Sequence, residues 1–204
     1  MFNSKILPEI RKKINIAIWC CFGFFILGSI LVFSAIAQGR IGYVPPVEQL
    51  ENPIDRYASQ IISEDGIWLG SYNYSKDNRI LVKYSELSPQ LVNALIATED
   101  NRFTRHSGID IKGLVRAIIK RVILRQKSGG GGSTITQQLA KQLYSPNASS
   151  VTERILQKPI EWVIAVRLEK YYTKEEIINM YLDKFDFLNN AVGILSASRT
   201  YFNT

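Results

Sequence analysis

Residues 14–39 carry no charge, and within them residues 16–37, IAIWCCFGFFILGSILVFSAIA, form an almost unbroken apolar run. A helix needs roughly 20 apolar residues to cross the hydrocarbon core of a bilayer, so this run predicts one membrane-spanning helix. Downstream the period changes. Gly42-Tyr43-Val44-Pro45-Pro46 reads as a stiff exit linker. Residues 57–62, 67–74 and 79–84 read as short strands, the first two joined by a turn at Glu64-Asp65-Gly66. From Ser88 onward the apolar positions recur with a helical period. Ser88 is an N-cap with Pro89 at the first helical position, and the helix through residues 91–98 delivers Glu99 and Asp100 at its C-terminal end.

Asp110 stands where it can cap a helix on which Ile111, Leu114, Val115, Ile118, Ile119, Val122 and Ile123 make one apolar stripe. Lys112, Arg116, Lys120, Arg121, Arg125 and Lys127 fill much of the remaining surface. Such a helix either buries its stripe in the core, with the basic side solvated, or lies at an anionic membrane surface. Lys127-Ser128 and the run Gly129–Gly132 lose much backbone freedom on ordering, which predicts a mobile loop. Ser133 is read as the cap of a helix over residues 134–143. A long helix follows over residues 151–171, with a kink or break expected at Pro159, which lacks the amide proton. Thr173 and Glu176 make a capping box for residues 175–182, and residues 191–201 complete the readable structure.

This pattern gives a mainly α chain with a small N-terminal β module and one N-terminal transmembrane helix. Its expected organisation is a cytoplasmic tail (residues 1–15), a transmembrane helix (16–37), a linker (38–56) and a single globular domain (57–204). A length of 204 residues with 46% apolar residues suffices for one domain plus an anchor. Lys5, Arg11, Lys12 and Lys13 precede the span, so the N-terminus is expected in the cytoplasm and the domain on the outer side. A cleaved signal peptide ending near Ser34-Ala35-Ile36-Ala37 is the alternative. Both cysteines, Cys20 and Cys21, fall inside the span, which leaves the domain without a disulfide or a zinc site. The net charge of +7 implies an anionic partner, and charge alone does not choose among nucleic acid, lipid and phosphorylated substrate.

Two blocks make that choice: ATEDNRFTRHSGID at residues 97–110 and GGSTITQQ at residues 131–138. The first resembles the E-D-x-x-F-x-x-H-x-G motif of peptidoglycan glycosyltransferases, and the second resembles their G-x-S-T-I-T-Q-Q motif. Further resemblance lies in Gln157-Lys158-Pro159-Ile160-Glu161, where the family has R-K-x-x-E, and in residues 167–185 and 187–202. The departures are Gln157 for arginine, Asp183 for asparagine and Asn203 for glycine.

The resemblance implies a lysozyme-like, two-lobed glycosyltransferase domain, monofunctional or the first domain of a class A penicillin-binding protein. Its implied reaction polymerises lipid II into glycan strands, with inversion at the anomeric carbon and release of undecaprenyl pyrophosphate. Extension with inversion needs a carboxylate to take the proton of the incoming hydroxyl and positive groups for the departing pyrophosphate. By resemblance Glu99 is that general base, and its helix-end position predicts partial desolvation. Asp100, Phe103, His106 and Gly108 are motif residues of structural role, His106 orienting the loop by hydrogen bonding. Arg102 is a candidate phosphate ligand. Ser133, Thr134, Thr136, Gln137 and Gln138 are expected to present polar groups to pyrophosphate at a helix N-terminus. Lys141, Lys158 and Arg154, the nearest match to the family's upstream arginine, are the implied donor-site cations. Glu161 is the second catalytic carboxylate, aiding the leaving group or a divalent cation, Mg or Mn. No other metal or cofactor is implied.

The implied partners are lipid II, the growing glycan strand, the membrane, and a transpeptidase domain or partner protein. No S-x-x-K, S-x-N or K-T-G acylation set follows the Tyr-Phe pair at residues 201–202. The family's domain ordinarily runs past the Tyr-Phe pair, so the chain is expected to be a piece of such a domain or a shortened product. A shortened product could serve as a non-catalytic, membrane-anchored lipid II-binding or cell-wall assembly protein. A glycan-cleaving enzyme would use paired acids but has no need of the Gln-Gln-x-x-Lys helix. A nucleic-acid binder is disfavoured because the predicted topology carries the basic domain across the membrane.

Overall fold

The computed structural model describes residues 6–46, 49–50, 59–72, 82–120, 131–145 and 150–203, as two units, residues 1–43 and 44–204. The first unit is helix α1, Ile6–Ala37. It is long and apolar enough from Glu9 to Ala37 to cross a membrane, and Trp19, Phe24 and Phe25 lie exposed on it. It begins ten residues ahead of the apolar run, because the basic N-terminal flank continues the same helical turn. Gly39, in the left-handed region at φ 70°, ends it, with the Arg40 amide donating back to the Ala35 carbonyl.

The second unit is mainly helical. Strands β1 (Ser59–Ile62) and β2 (Trp68–Tyr72) pair antiparallel, with Ser59 opposite Tyr72 and a bulge at Ile61/Ile62. The turn between them falls at Glu64-Asp65-Gly66, as the sequence predicts, with Gly66 at φ 82°. Residues 57–58, 73–74 and 79–81 of the expected strands lie outside the described residues. The rest of the expected third strand is not one: Tyr84–Glu86 form a 3₁₀ turn in which the Glu86 carboxylate accepts from the Lys83 amide at 2.7 Å.

Among the described residues six α-helices follow: α2 (Pro89–Glu99), α3 (Ile111–Ile118), α4 (Ile135–Tyr144), α5 (Val151–Tyr171), α6 (Lys174–Lys184) and α7 (Ile194–Phe202). Helix α4 is central. Ile135, Leu139 and Ala140 are fully buried, in one core with Ile164, Ala165 and Leu168 of α5 and Ile177, Ile178 and Tyr181 of α6. Each such aliphatic side chain contributes about 1.5 to 3 kcal/mol on burial, which is why α4 is fixed although only ten residues long. Pro45, Gln49 and Leu50 of the stretch read as linker pack onto these helices. Leu50 is buried, and the Pro45, Gln49 and Leu50 carbonyls accept from Arg167, Tyr144 and Tyr172.

Two helix-level expectations change, and an alternative left open is narrowed. Thr134, not Ser133, caps α4: its backbone is extended and its hydroxyl accepts from the Gln137 amide at 3.1 Å. Helix α5 runs unbroken through Pro159, because its capped first turn and a carboxylate gripped by Arg154 and Lys158 hold the segment on both sides of the proline. The stripe on α3 is not a core face: Ile111, Val115, Ile118 and Ile119 are exposed, and only Leu114 and Ala117 are partly covered. Arg121, Val122, Ile123, Arg125, Lys127 and the first half of the glycine run lie outside the described residues.

Candidate active site

Three adjoining clefts meet at the two sequence blocks. A polar cleft of about 110 Å³ is lined by Glu99, Asp100, Asp110, Arg116 and residues 131–134. On one side Gly132 and Ser133 also line a second cleft of about 290 Å³, with Leu114, Ile118, Lys158 and Trp162. On the other side Thr98 and Glu99 line a third, apolar cleft of about 250 Å³ with Leu91, Tyr181 and Phe185. Glu99 and Lys158 therefore face one continuous concave surface, joined through Ser133.

Glu99 ends α2 and is exposed, so the desolvation expected from its helix-end position is absent. One carboxylate oxygen accepts from the Gln138 amide nitrogen at 2.7 Å, and the Gln138 carbonyl accepts from the Tyr181 hydroxyl at 3.0 Å. Burial, and then the charge of Glu99, push the Tyr181 phenol up to about 12.

Asp100 is buried and turned inward. Both its oxygens lie within 3.2 Å of His106 Nε2, and one accepts from the Ile135 amide at 3.3 Å. The N-terminus of α4 is thus already met by a carboxylate of the protein and by the Thr134 hydroxyl, rather than left open to an anion. Thr134, Thr136 and Gln137 are buried, and both hydroxyls and the Gln137 side-chain carbonyl bond within the protein. Thr134 donates to the Gly108 carbonyl at 2.7 Å, Thr136 to Glu169 at 2.6 Å, and the Gln137 carbonyl accepts from the Thr134 amide at 3.4 Å. Of the second block, Ser133 lines both the polar cleft and the second cleft, Thr134 the first and Gln137 the second, while Gln138 reaches the site through its bond to Glu99.

Gly108 is needed where it stands. Its φ is 90°, and a Cβ there would meet the Ala165 backbone at 2.9 Å. Lys174 closes the same loop. Its ammonium donates to the His106 carbonyl at 2.8 Å and to Glu169 at 2.7 Å, and lies 4.2 Å from the centroid of the buried Phe103 ring. Arg102, expected as a phosphate ligand, pairs through Nε with Asp110 at 3.0 Å. Burial opposes ionisation of Asp110, but the Gly113 amide and the Arg102 charge outweigh it and hold the carboxyl below the ordinary carboxylate range.

Glu161 is fully buried, and its two oxygens accept from Arg154 at 2.7 Å and Lys158 at 2.8 Å. Lys158 also reaches the Ser133 hydroxyl at 3.4 Å. Arg154, one turn before the position where the motif's arginine is replaced by Gln157, thereby joins the site. Lys141 is exposed on α4 and lines none of these three clefts. Among the described residues no group of three His, Cys, Asp or Glu side chains is arranged to hold a metal ion, and both Glu161 oxygens are engaged by cations. Tyr181, Glu169, Lys174 and Trp162 were not singled out in the sequence. The first three lie in the recognisable stretch 167–185, but nothing in it shows what they touch.

The profile of the transglycosylase family matches residues 65–204, and the chain belongs to that family. The enzyme class read from the two motif blocks is the class this match returns. The chain is similar to penicillin-binding protein 1A of Clostridium novyi, at 37% identity over 150 residues, 72% of this chain and 17% of that protein. It is similar to the protein of the same name from Pseudomonas aeruginosa, at 32% over 187 residues, 90% of this chain and 21% of that one. For that of Escherichia coli the identity is 37% over 179 residues, 85% of this chain and 20% of that one. The chain spans about a fifth of the length of these relatives.

Proposed function

We propose that the domain polymerises lipid II into glycan strands, with inversion at the anomeric carbon. The observation that carries this reading is the exposed Glu99 carboxylate on the same concave surface as Lys158, with Ser133 between them. The free oxygen of Glu99 takes the proton of the acceptor hydroxyl as that oxygen bonds to the anomeric carbon. The bond from that carbon to pyrophosphate breaks on the opposite face, and its electron pair leaves with undecaprenyl pyrophosphate. Lys158 and Arg154 neutralise the charge that develops there. Glu161 holds these two cations in place and does not itself meet the substrate.

In this reading the fold is the lysozyme-like, two-lobed type, α1 crosses the cytoplasmic membrane with its N-terminus inside, and the domain works on the outer face. The exposed stripe of α3, flanked by Lys112, Arg116 and Lys120, suits contact with that lipid surface. A transpeptidase, in the same protein or a partner, uses the glycan strand.

The test is Glu99→Gln in the full chain, assayed for polymerisation of lipid-linked disaccharide. General-base catalysis contributes roughly 10²- to 10⁴-fold, so a loss of that order with retained substrate binding is expected. A rate above about a tenth of wild type would overturn the assignment.

A further inference from the structure

Gln138 can present either its amide nitrogen or its carbonyl to Glu99, and only one of these suits a carboxylate base. An ionised carboxylate only accepts hydrogen bonds, so the group 2.7 Å from Glu99 must be the amide nitrogen. The Gln138 carbonyl then points to Tyr181, whose hydroxyl lies 3.0 Å away and must donate. A phenol can hold the amide this way round only while it keeps its proton. Tyr181 is 3% exposed, and burial and Glu99 push its ionisation up to about 12.

From this geometry, and resting on Glu99 being the base, we propose that Tyr181 is a positioning residue that acts through Gln138. By fixing the amide orientation it anchors one carboxylate oxygen of Glu99 and leaves the other free to take the acceptor's proton. Without the phenol the amide can turn its carbonyl toward Glu99, an arrangement tolerated only when Glu99 is protonated and therefore useless as a base. The other titratable groups around Glu99 are Asp100 beside it and, across the polar cleft, Asp110 and Arg116. Asp100 is bound to His106 and Asp110 to Arg102, so among the described residues Tyr181 is the titratable group that donates to Gln138.

The test is a double-mutant cycle in the full chain with lipid-linked disaccharide as substrate. Tyr181→Phe removes one neutral hydrogen bond and nothing else of comparable size. It is expected to lower kcat about 3- to 10-fold, to change KM less than about twofold, and to move the acid limb of the pH–rate profile to higher pH, because a donor to the ionised carboxylate has been lost. Gln138→Met cuts the relay at its other end and should shift the acid limb in the same direction. It carries the test alone if Tyr181→Phe does not fold. In the Gln138→Met background, adding Tyr181→Phe should cost no further activity. Multiplicative losses, or an unmoved acid limb in both single variants, would overturn the proposal. Glu99→Gln, run alongside, separates the two levels: if it retains activity the glycosyltransferase reading of Glu99 fails, whereas if it is inactive and the cycle is multiplicative only the role of Tyr181 fails.

Discussion

Replacing Glu161 by glutamine should loosen the domain and disarm its cations together. The carboxylate is fully buried and accepts one hydrogen bond from Arg154 at 2.7 Å and one from Lys158 at 2.8 Å. A hydrogen bond to a charged group is worth about 1.5 to 3 kcal/mol. Glutamine keeps the volume and one acceptor, so one of the two bonds is replaced by an amide facing a cation, and the other loses roughly half its strength. The gross loss is about 2 to 4 kcal/mol on that count. The two cations are 32% and 33% exposed, so water recovers part of it, and a net loss of about 1 to 3 kcal/mol is expected. At roughly 2 to 4 °C per kcal/mol for a domain of this size, the melting temperature of Glu161→Gln should fall by several degrees. Polymerisation should fall about tenfold or more, as a charge-assisted contact would give, and by no more in Glu161→Gln/Lys158→Ala than in the worse single variant, because the carboxylate acts through the lysine. Thermal unfolding followed by circular dichroism, with the polymerisation assay on the same samples, measures both. An unchanged melting temperature, or losses that multiply in the double variant, would refute the view that Glu161 serves by holding Arg154 and Lys158.

The reassigned cap separates two neighbours: Thr134→Ala should cost about 1 to 2 kcal/mol, as loss of an N-cap does, and Ser133→Ala no more than about 0.5 kcal/mol, read as shifts in the unfolding midpoint. Gly108→Ala forces a side chain into the left-handed region and against the Ala165 backbone, so a loss of about 2 kcal/mol or more is expected, and wild-type stability would mean that the loop can move away from α5. Asp110 is held below the ordinary carboxylate range, so it stabilises the fold fully above the unfolded value near pH 3.9 and loses that contribution as pH falls through its lower folded value. Asp110→Asn should therefore flatten the acid limb of stability below about pH 4, and an unaltered limb would show that other carboxylates set it.

The sequence by itself determined what short-range rules govern. The helical period placed α2 and α4–α7, Pro89 and the Thr173/Glu176 box marked helix starts, and the resemblance to the family's motifs singled out Glu99 in the first block and Lys158 and Glu161 in the partly kept R-K-x-x-E motif. Asn203 was a visible departure, and its φ of 58° gives it a reason: asparagine is the residue after glycine that tolerates the left-handed end of α7. Partnerships that span the chain were not legible. Asp100 meets the Ile135 amide 35 residues on, Thr136 meets Glu169 across 33, and Tyr181 reaches Gln138 across 43. Caps and periodicity act within about four residues, whereas these bonds exist only because α4 is packed between α5 and α6. The same packing decided which of two equally periodic stripes is buried. That of α4 faces two helices and forms the core, while on α3 Leu114 is partly covered and Ile111, Val115 and Ile118 stay exposed, since an amphipathic pattern states that a face is apolar and only the neighbours state what covers it.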